Sequence, residues 1–229
     1  MNDSGPARCQ LVYRAFDGDG RSGRPILALH DEGGSASDVE PLAAATARPV
    51  YAPQAARPAN PFQSDLPSVA AYRGFRWYLA DAPERPEAAS FADSLEQVAA
   101  FAGEHWAGQA AATVVGVGQG GALAAAALWC GIAAVAAAVC VDGYLPEWLA
   151  GEAPRRTAAT VVLVSSDART MAWRDATAQA FRDAGADVRT SVWPGGYGAA
   201  FARPELAAAA FETPPAASKS NGAEDSMTR

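Results

Sequence analysis

Apolar residues in this chain fall into two alternating kinds of run, and the alternation predicts the architecture. Short, nearly continuous apolar stretches lie at 9–14, 25–30, 48–52, 112–117, 134–141, 159–165 and 187–193. Runs of that length bounded by turn residues read as strands, and strands apolar on both faces belong to a parallel sheet covered by helices. Between them, Ser90 to Trp106 sets Phe91, Leu95, Val98, Phe101 and Ala102 at the spacing of an amphipathic helix. Further helices are predicted at 119–130, 171–184 and 203–211. A shorter one runs through Ala45, with Ser37 as N-cap and Glu40 closing a capping box. Asp17-Gly18-Asp19-Gly20 separates the first two runs and suggests a leading hairpin. The fold class expected is α/β, with a mostly parallel central sheet and helices on both faces.

Two stretches break the alternation. Residues 53–88 carry six prolines and no steady period, so they read as a long irregular excursion. The excursion holds Tyr72, Phe75, Trp77 and Tyr78, which suit either a hydrophobic lid over the core or the wall of a ligand pocket. Trp77 and Tyr78, together with Trp173 on the helix predicted at 171–184, are the candidate pocket residues. Residues 212–229 are rich in Pro, Ser and Ala with scattered charge and read as a disordered tail. Residues 1–211 then form a single domain.

The chemistry concentrates at Gly116-Val117-Gly118-Gln119-Gly120-Gly121, between a predicted strand and a predicted helix. One reading is the dinucleotide fingerprint G-x-G-x-x-G on Gly116, Gly118 and Gly121, with Asp142 as the ribose-binding acid. The other is a nucleophile elbow, G-x-S-x-G, a sharp strand-to-helix turn that normally exposes a serine at its centre. Here the central residue is Gly118.

Four separated segments favour the elbow. Leu27-Ala28-Leu29-His30-Asp31-Glu32-Gly33-Gly34 resembles the L-H-G-x-G-G segment that supplies an oxyanion-hole amide in small esterases. The glycine turn with Ala122-Leu123 resembles their G-F-S-Q-G-G-A-L, and Asp142-Gly143-Tyr144-Leu145-Pro146 their S-G-Y-L-P. Val192-Trp193-Pro194-Gly195-Gly196-Tyr197-Gly198 resembles the segment ending in G-G-H-G. Order and spacing agree over residues 25–205, so the chain resembles the phospholipase/carboxylesterase branch of the α/β-hydrolases. That resemblance implies an α/β-hydrolase fold with a minimal cap. It sets Gly118 at the nucleophile position, Tyr197 at the base and Asp167 at the acid. Asp31 stands where the family has glycine, and Asp142 where it has serine. His30 keeps the family's histidine in a packing and orienting role, with Gln119 providing the elbow amide.

Glycine supplies no nucleophile, and a tyrosine near its ordinary pKa of ~10 is a poor base at neutral pH. The expected function is therefore a non-hydrolytic acid–base catalyst of cyclase, isomerase, dehydratase or lyase type. Its substrate would be a carbonyl-bearing small molecule, with Tyr197, Asp167, Asp142 or Asp31 moving protons. A non-catalytic binding protein, hydrolysis by a water that one of these acids activates, and nucleotide binding through the glycines stand as alternatives.

Composition narrows the partners. A net charge of −7 argues against nucleic acid and anionic membranes. The N-terminus carries no signal-peptide pattern, and the longest apolar stretch, Ile132 to Val141, is ten residues and too short to span a bilayer. A cytoplasmic protein is expected. The three cysteines, Cys9, Cys130 and Cys140, have no metal-ligand spacing, and neither metal nor cofactor is implied. The expected partner is a small molecule, and a homodimer is left open.

Overall fold

The computed structural model describes residues 11–17, 20–59, 74–106, 111–132, 134–155, 159–193 and 200–211. Seven strands form the main sheet: β1 (Tyr13–Phe16), β2 (Ile26–Leu29), β3 (Val50–Pro53), β8 (Ala112–Val117), β9 (Val135–Val141), β10 (Thr160–Ser165) and β11 (Asp187–Val192). Two short two-stranded ladders lie between β3 and β8: β4 (Arg57–Pro58) with β5 (Phe75–Arg76), and β6 (Ala80–Ala82) with β7 (Arg85–Pro86). The sheet order is β1-β3-β2-β8-β9-β10-β11, with β1 antiparallel to β3 and the other pairs parallel.

The leading hairpin does not form. β1 pairs with β3, from Tyr13 opposite Pro53 to Phe16 opposite Val50, and β2 lies beyond β3. Burial explains the exchange. All four residues of β2 are buried, which requires a neighbour on each side, whereas Tyr13, Arg14 and Ala15 of β1 are exposed and suit an edge.

The helices are α1 (Glu40–Ala45), α2 (Ala88–Trp106), α3 (Gln119–Trp129), α4 (Glu147–Ala150), α5 (Ala168–Asp183) and α6 (Pro204–Phe211). Two caps differ from expectation. Ser35, not Ser37, caps a 3-10 turn at Ala36–Val39, and Asp38 closes its box before α1 begins. α5 starts at Ala168 because Asp167 accepts from the Thr170 amide while Thr170 bonds back to the cap. Alternate residues of the central strands point into two separate cores. Leu27, Leu29, Val114, Cys140 and Leu163 face Phe91, Phe101, Leu123 and Phe181 of α2, α3 and α5. Ile26, Val115, Val139 and Val162 face Leu42 and Leu206 of α1 and α6. No helix among the described residues is long and apolar enough to cross a membrane.

Helix α3 is buried along its whole length, and close packing there explains its run of small residues. A Cβ on Gly120 would stand 2.2 Å from the Leu29 carbonyl oxygen and 2.6 Å from that of His30. The glycine brings the first turn of α3 against the end of β2, which fixes the floor of the cleft described below. Gly120→Ala is expected to cost about 1–3 kcal/mol through overpacking of backbone against backbone, measurable as a lowered urea midpoint with unchanged slope.

Candidate functional site

The chain reverses its winding between β2 and β8. From β2 it passes through α1 to β3 on one side, and from β8 through α3 to β9 on the other. Loops leaving two such neighbouring strands diverge, and the crevice between them at the carboxyl ends is where open α/β sheets bind ligands. Asp31 follows β2 by two residues and Gly118 follows β8 by one. The two meet at that crevice.

Gly118 adopts φ +52° and ψ −116°, a backbone state that costs a residue with a side chain roughly 1–3 kcal/mol. Its amide donates to the Val141 carbonyl at 2.9 Å, and its own carbonyl accepts from Ala122 at 3.0 Å to start α3. The elbow geometry is therefore complete without a side chain. The space a side chain would use is filled from the neighbouring loop. A Cβ built on Gly118 would lie 1.9 Å from Oδ1 and 2.2 Å from Cγ of Asp31. The same Oδ1 accepts a hydrogen bond from the backbone amide of Gln119 at 2.8 Å. Asp31 points into the crevice, and its carboxylate occupies the amide that an oxyanion hole would offer to substrate.

The side chain of Gln119 ties the crevice to the 75–80 segment. Its Oε1 accepts from the Trp77 amide at 2.9 Å, while Nε2 donates to the Tyr78 carbonyl at 3.2 Å and to Glu32 at 3.3 Å. A cleft of about 790 Å³ opens over Asp31, Gly118 and Gln119. Tyr78, Tyr144 and Trp173 line it, with Asp142, Glu32 and Arg76 at its sides. Tyr144 donates to the Pro83 carbonyl at 2.7 Å. Burial pushes the Tyr144 phenol up to about 12 and the Tyr78 phenol well above its ordinary range, so both remain protonated. Glu32 is half-buried and raised by desolvation, against the opposing pull of Arg76 at 3.7 Å.

Asp142 is held in a different way. It is the single non-glycine residue of positive φ among the described residues, at +50°, and is buried. Its two carboxylate oxygens accept from the backbone amide of Ser166 at 2.7 Å and from the Ser166 hydroxyl at 2.5 Å. Those bonds lock the turn after β9 to the turn after β10 and present Asp142 as part of the cleft side.

Two expected site residues fall elsewhere, and a third lies outside the described residues. Asp167 is exposed and lies outside the cleft lining, because its carboxylate caps α5. The Thr170 amide holds that carboxyl below its ordinary pKa. Its assignment as a catalytic acid is corrected to a helix cap. Trp77 is fully buried in the core and absent from the cleft lining, and its indole donates to the His30 carbonyl at 2.8 Å. Tyr197 lies outside the described residues. Tyr78 and Trp173 do line the cleft, as expected of pocket residues.

His30 is buried behind the Asp31 loop. Its Nε2 accepts from the Ala55 amide at 3.1 Å and the Gln54 side chain at 2.9 Å, so its proton sits on Nδ1, facing the Asp31 carbonyl at 2.7 Å. Sequence reasoning missed Glu32 and Arg76 as cleft residues. Glu32 was visible as the neighbour of Asp31, but no local pattern ties Arg76 to the elbow.

No protein-family model and no curated protein sequence matches the chain. Solved structures do. The Bacillus cereus carboxylesterase superposes with a TM-score of 0.68 at 16% identity, over 88% of this chain and 95% of that one. Esterase PE8 gives 0.67 at 20%, over 88% and 96%. The carboxylesterase from Mesorhizobium loti gives 0.62 at 20%, over 86% and 94%. This chain has the α/β-hydrolase fold. Within that fold, the strand-to-helix turn at Gly118 occupies the elbow, and the dinucleotide reading of the same glycines loses its ribose acid, since Asp142 is bound to Ser166.

Two expectations follow from this arrangement. Gly118→Ser alone should destabilise the chain, because its Cβ meets the Asp31 carboxylate. The cost should shrink in an Asp31→Gly background, with a coupling of about 0.5–3 kcal/mol in a urea double-mutant cycle. Burial holds the His30 pKa below its ordinary value, so the unfolded chain takes up a proton that the folded one refuses as pH falls below about 6.5. Stability from this residue is therefore intact above that pH and is lost as the medium is acidified. His30→Gln should show a shallower fall in stability than the unmodified chain between about pH 7 and 5 when urea unfolding is compared across the range.

Proposed function

We propose that the cleft is the working site of a non-hydrolytic acid–base catalyst of isomerase, cyclase, dehydratase or lyase type. It would act on a carbonyl-bearing small molecule in what corresponds to the ester site of the phospholipase/carboxylesterase branch. The observation that carries the reading is the Asp31 carboxylate, seated where a nucleophile side chain would stand and held by the Gln119 amide. A carboxylate fixed by a rigid backbone donor in a cleft is a pre-organised proton acceptor, and such groups contribute on the order of 10²–10⁴ in rate.

The role first expected of the elbow amide changes with that seat. Gln119 N–H is bonded to Asp31, so it does not polarise the substrate carbonyl. Arg76 and Arg169 are the guanidinium groups that line the cleft, and Arg76, beside Glu32, is the one assigned as donor to that oxygen. Proton abstraction next to a carbonyl by Asp31, with Arg76 receiving the developing negative charge, is the step this arrangement supports. Asp142 would position the cleft side through Ser166, and Tyr197, which follows β11 in the sequence, would be a second proton-transfer group. The step requires no cofactor.

The test uses phenylacetone, a ketone with exchangeable C–H groups beside its carbonyl, incubated in D₂O and followed by proton NMR. The unmodified chain should speed the exchange above buffer, and Asp31→Asn should abolish the gain. The same preparation should leave p-nitrophenyl acetate uncleaved. Ester turnover by the unmodified chain, or exchange that is absent or indifferent to Asp31→Asn, overturns the proposal.

A further inference from the structure

We propose that the ligand of this cleft carries a protonated amine, which sits against the Trp173 ring in the place that Arg169 now holds; the inference rests on the reading of the cleft as the working site. The first support is the state of the donors in the wall. The Gln119 backbone amide is spent on Asp31, and its side-chain amide on Glu32 and the Tyr78 carbonyl. The Tyr144 hydroxyl is spent on the Pro83 carbonyl, so its oxygen can only accept. The arginines apart, these wall groups offer acceptors. A ligand that fits must bring donors of its own.

The second support is charge. Among the described residues five carboxylates line the cleft against two guanidinium groups, and one of those two, Arg76, already faces Glu32. The other is Arg169, on the first turn of α5. Its guanidinium carbon lies 5.2 Å from the centre of the Trp173 ring, within cation–π range. An arginine four residues before a tryptophan is an ordinary helix-surface pair. What sets this pair apart is that both members line the cleft, with Trp173 also 5.5 Å from the Tyr144 ring. The chain's own cation thus marks a seat for a cation. Arg169 is exposed, and a stacking contact of that kind holds it by only about 0.5–1 kcal/mol, so an incoming ammonium can displace it.

The experiment compares three probes of one shape by isothermal titration of the full chain at neutral pH and low salt: phenethylammonium, phenethyl alcohol and 3-phenylpropionate. Phenethylammonium should bind about tenfold or more tightly than either of the others. Arg169→Ala should tighten its binding by about threefold, because the tethered competitor is gone. Trp173→Leu should remove the preference and Trp173→Phe should retain part of it, the second variant guarding against a general loss of fold. Equal binding of the three probes, preference for the carboxylate, no measurable binding of the ammonium, or a preference that survives Trp173→Leu each overturn the inference. No proton transfer enters this measurement. Ammonium binding without ketone exchange sinks the catalytic proposal and keeps the ligand class, and exchange without ammonium preference does the reverse.

Discussion

Only one group can occupy the space above the turn between β8 and α3, and in this protein a carboxylate from a different loop has taken it. Asp31 Oδ1 lies where the first side-chain atom of residue 118 would be built, and it satisfies the Gln119 amide from that position. The contact joins the ends of two adjacent parallel strands. The rest of the crevice is arranged around it: Gln119 turns its side chain away to hold the Trp77 and Tyr78 backbone, and His30 braces the Asp31 carbonyl from behind. A buried carboxylate without such a donor would be expensive, whereas a charge-assisted bond from a helix N-terminal amide is among the stronger ones available.

The sheet below supplies the rigidity that such a seat needs. Five of its strands carry neighbours on both sides, and α3 lies flat against them, buried throughout. A site held by backbone at the ends of central strands moves less than one built on loops. The small-residue packing beneath the elbow therefore fixes the seat of Asp31 as well as the fold.

Much of this was legible in the chain, for identifiable reasons. Continuous apolar runs alternating with helical spacing report a covered parallel sheet directly, since burial on both faces leaves no polar alternation. The elbow was legible because glycine spacing is dictated by backbone geometry and backbone contacts, which survive when side chains change. Individual side-chain directions were not. Asp167 sits one residue from an apolar strand and matches a family position, yet the competing demand of a helix N-terminus claims its carboxylate. Trp77 and Tyr78 are adjacent in sequence and point to opposite fates, one into the core with its indole on His30 and the other into the cleft wall. Adjacent residues of an irregular segment carry no period from which that difference could be read. The pairing of β1 with β3 was hidden similarly, because the link between β1 and β2 has the composition of a hairpin turn and only the full burial of β2 decides otherwise.

The shared space at residues 31 and 118 also makes the two positions answer to each other. A side chain at 118 and a carboxylate seated on the Gln119 amide cannot both be accommodated as they stand, since the first atom of one falls on the oxygen of the other. Either residue can change only if its counterpart gives way. Two positions 87 apart in the sequence thus behave as a single two-letter unit rather than as independent sites.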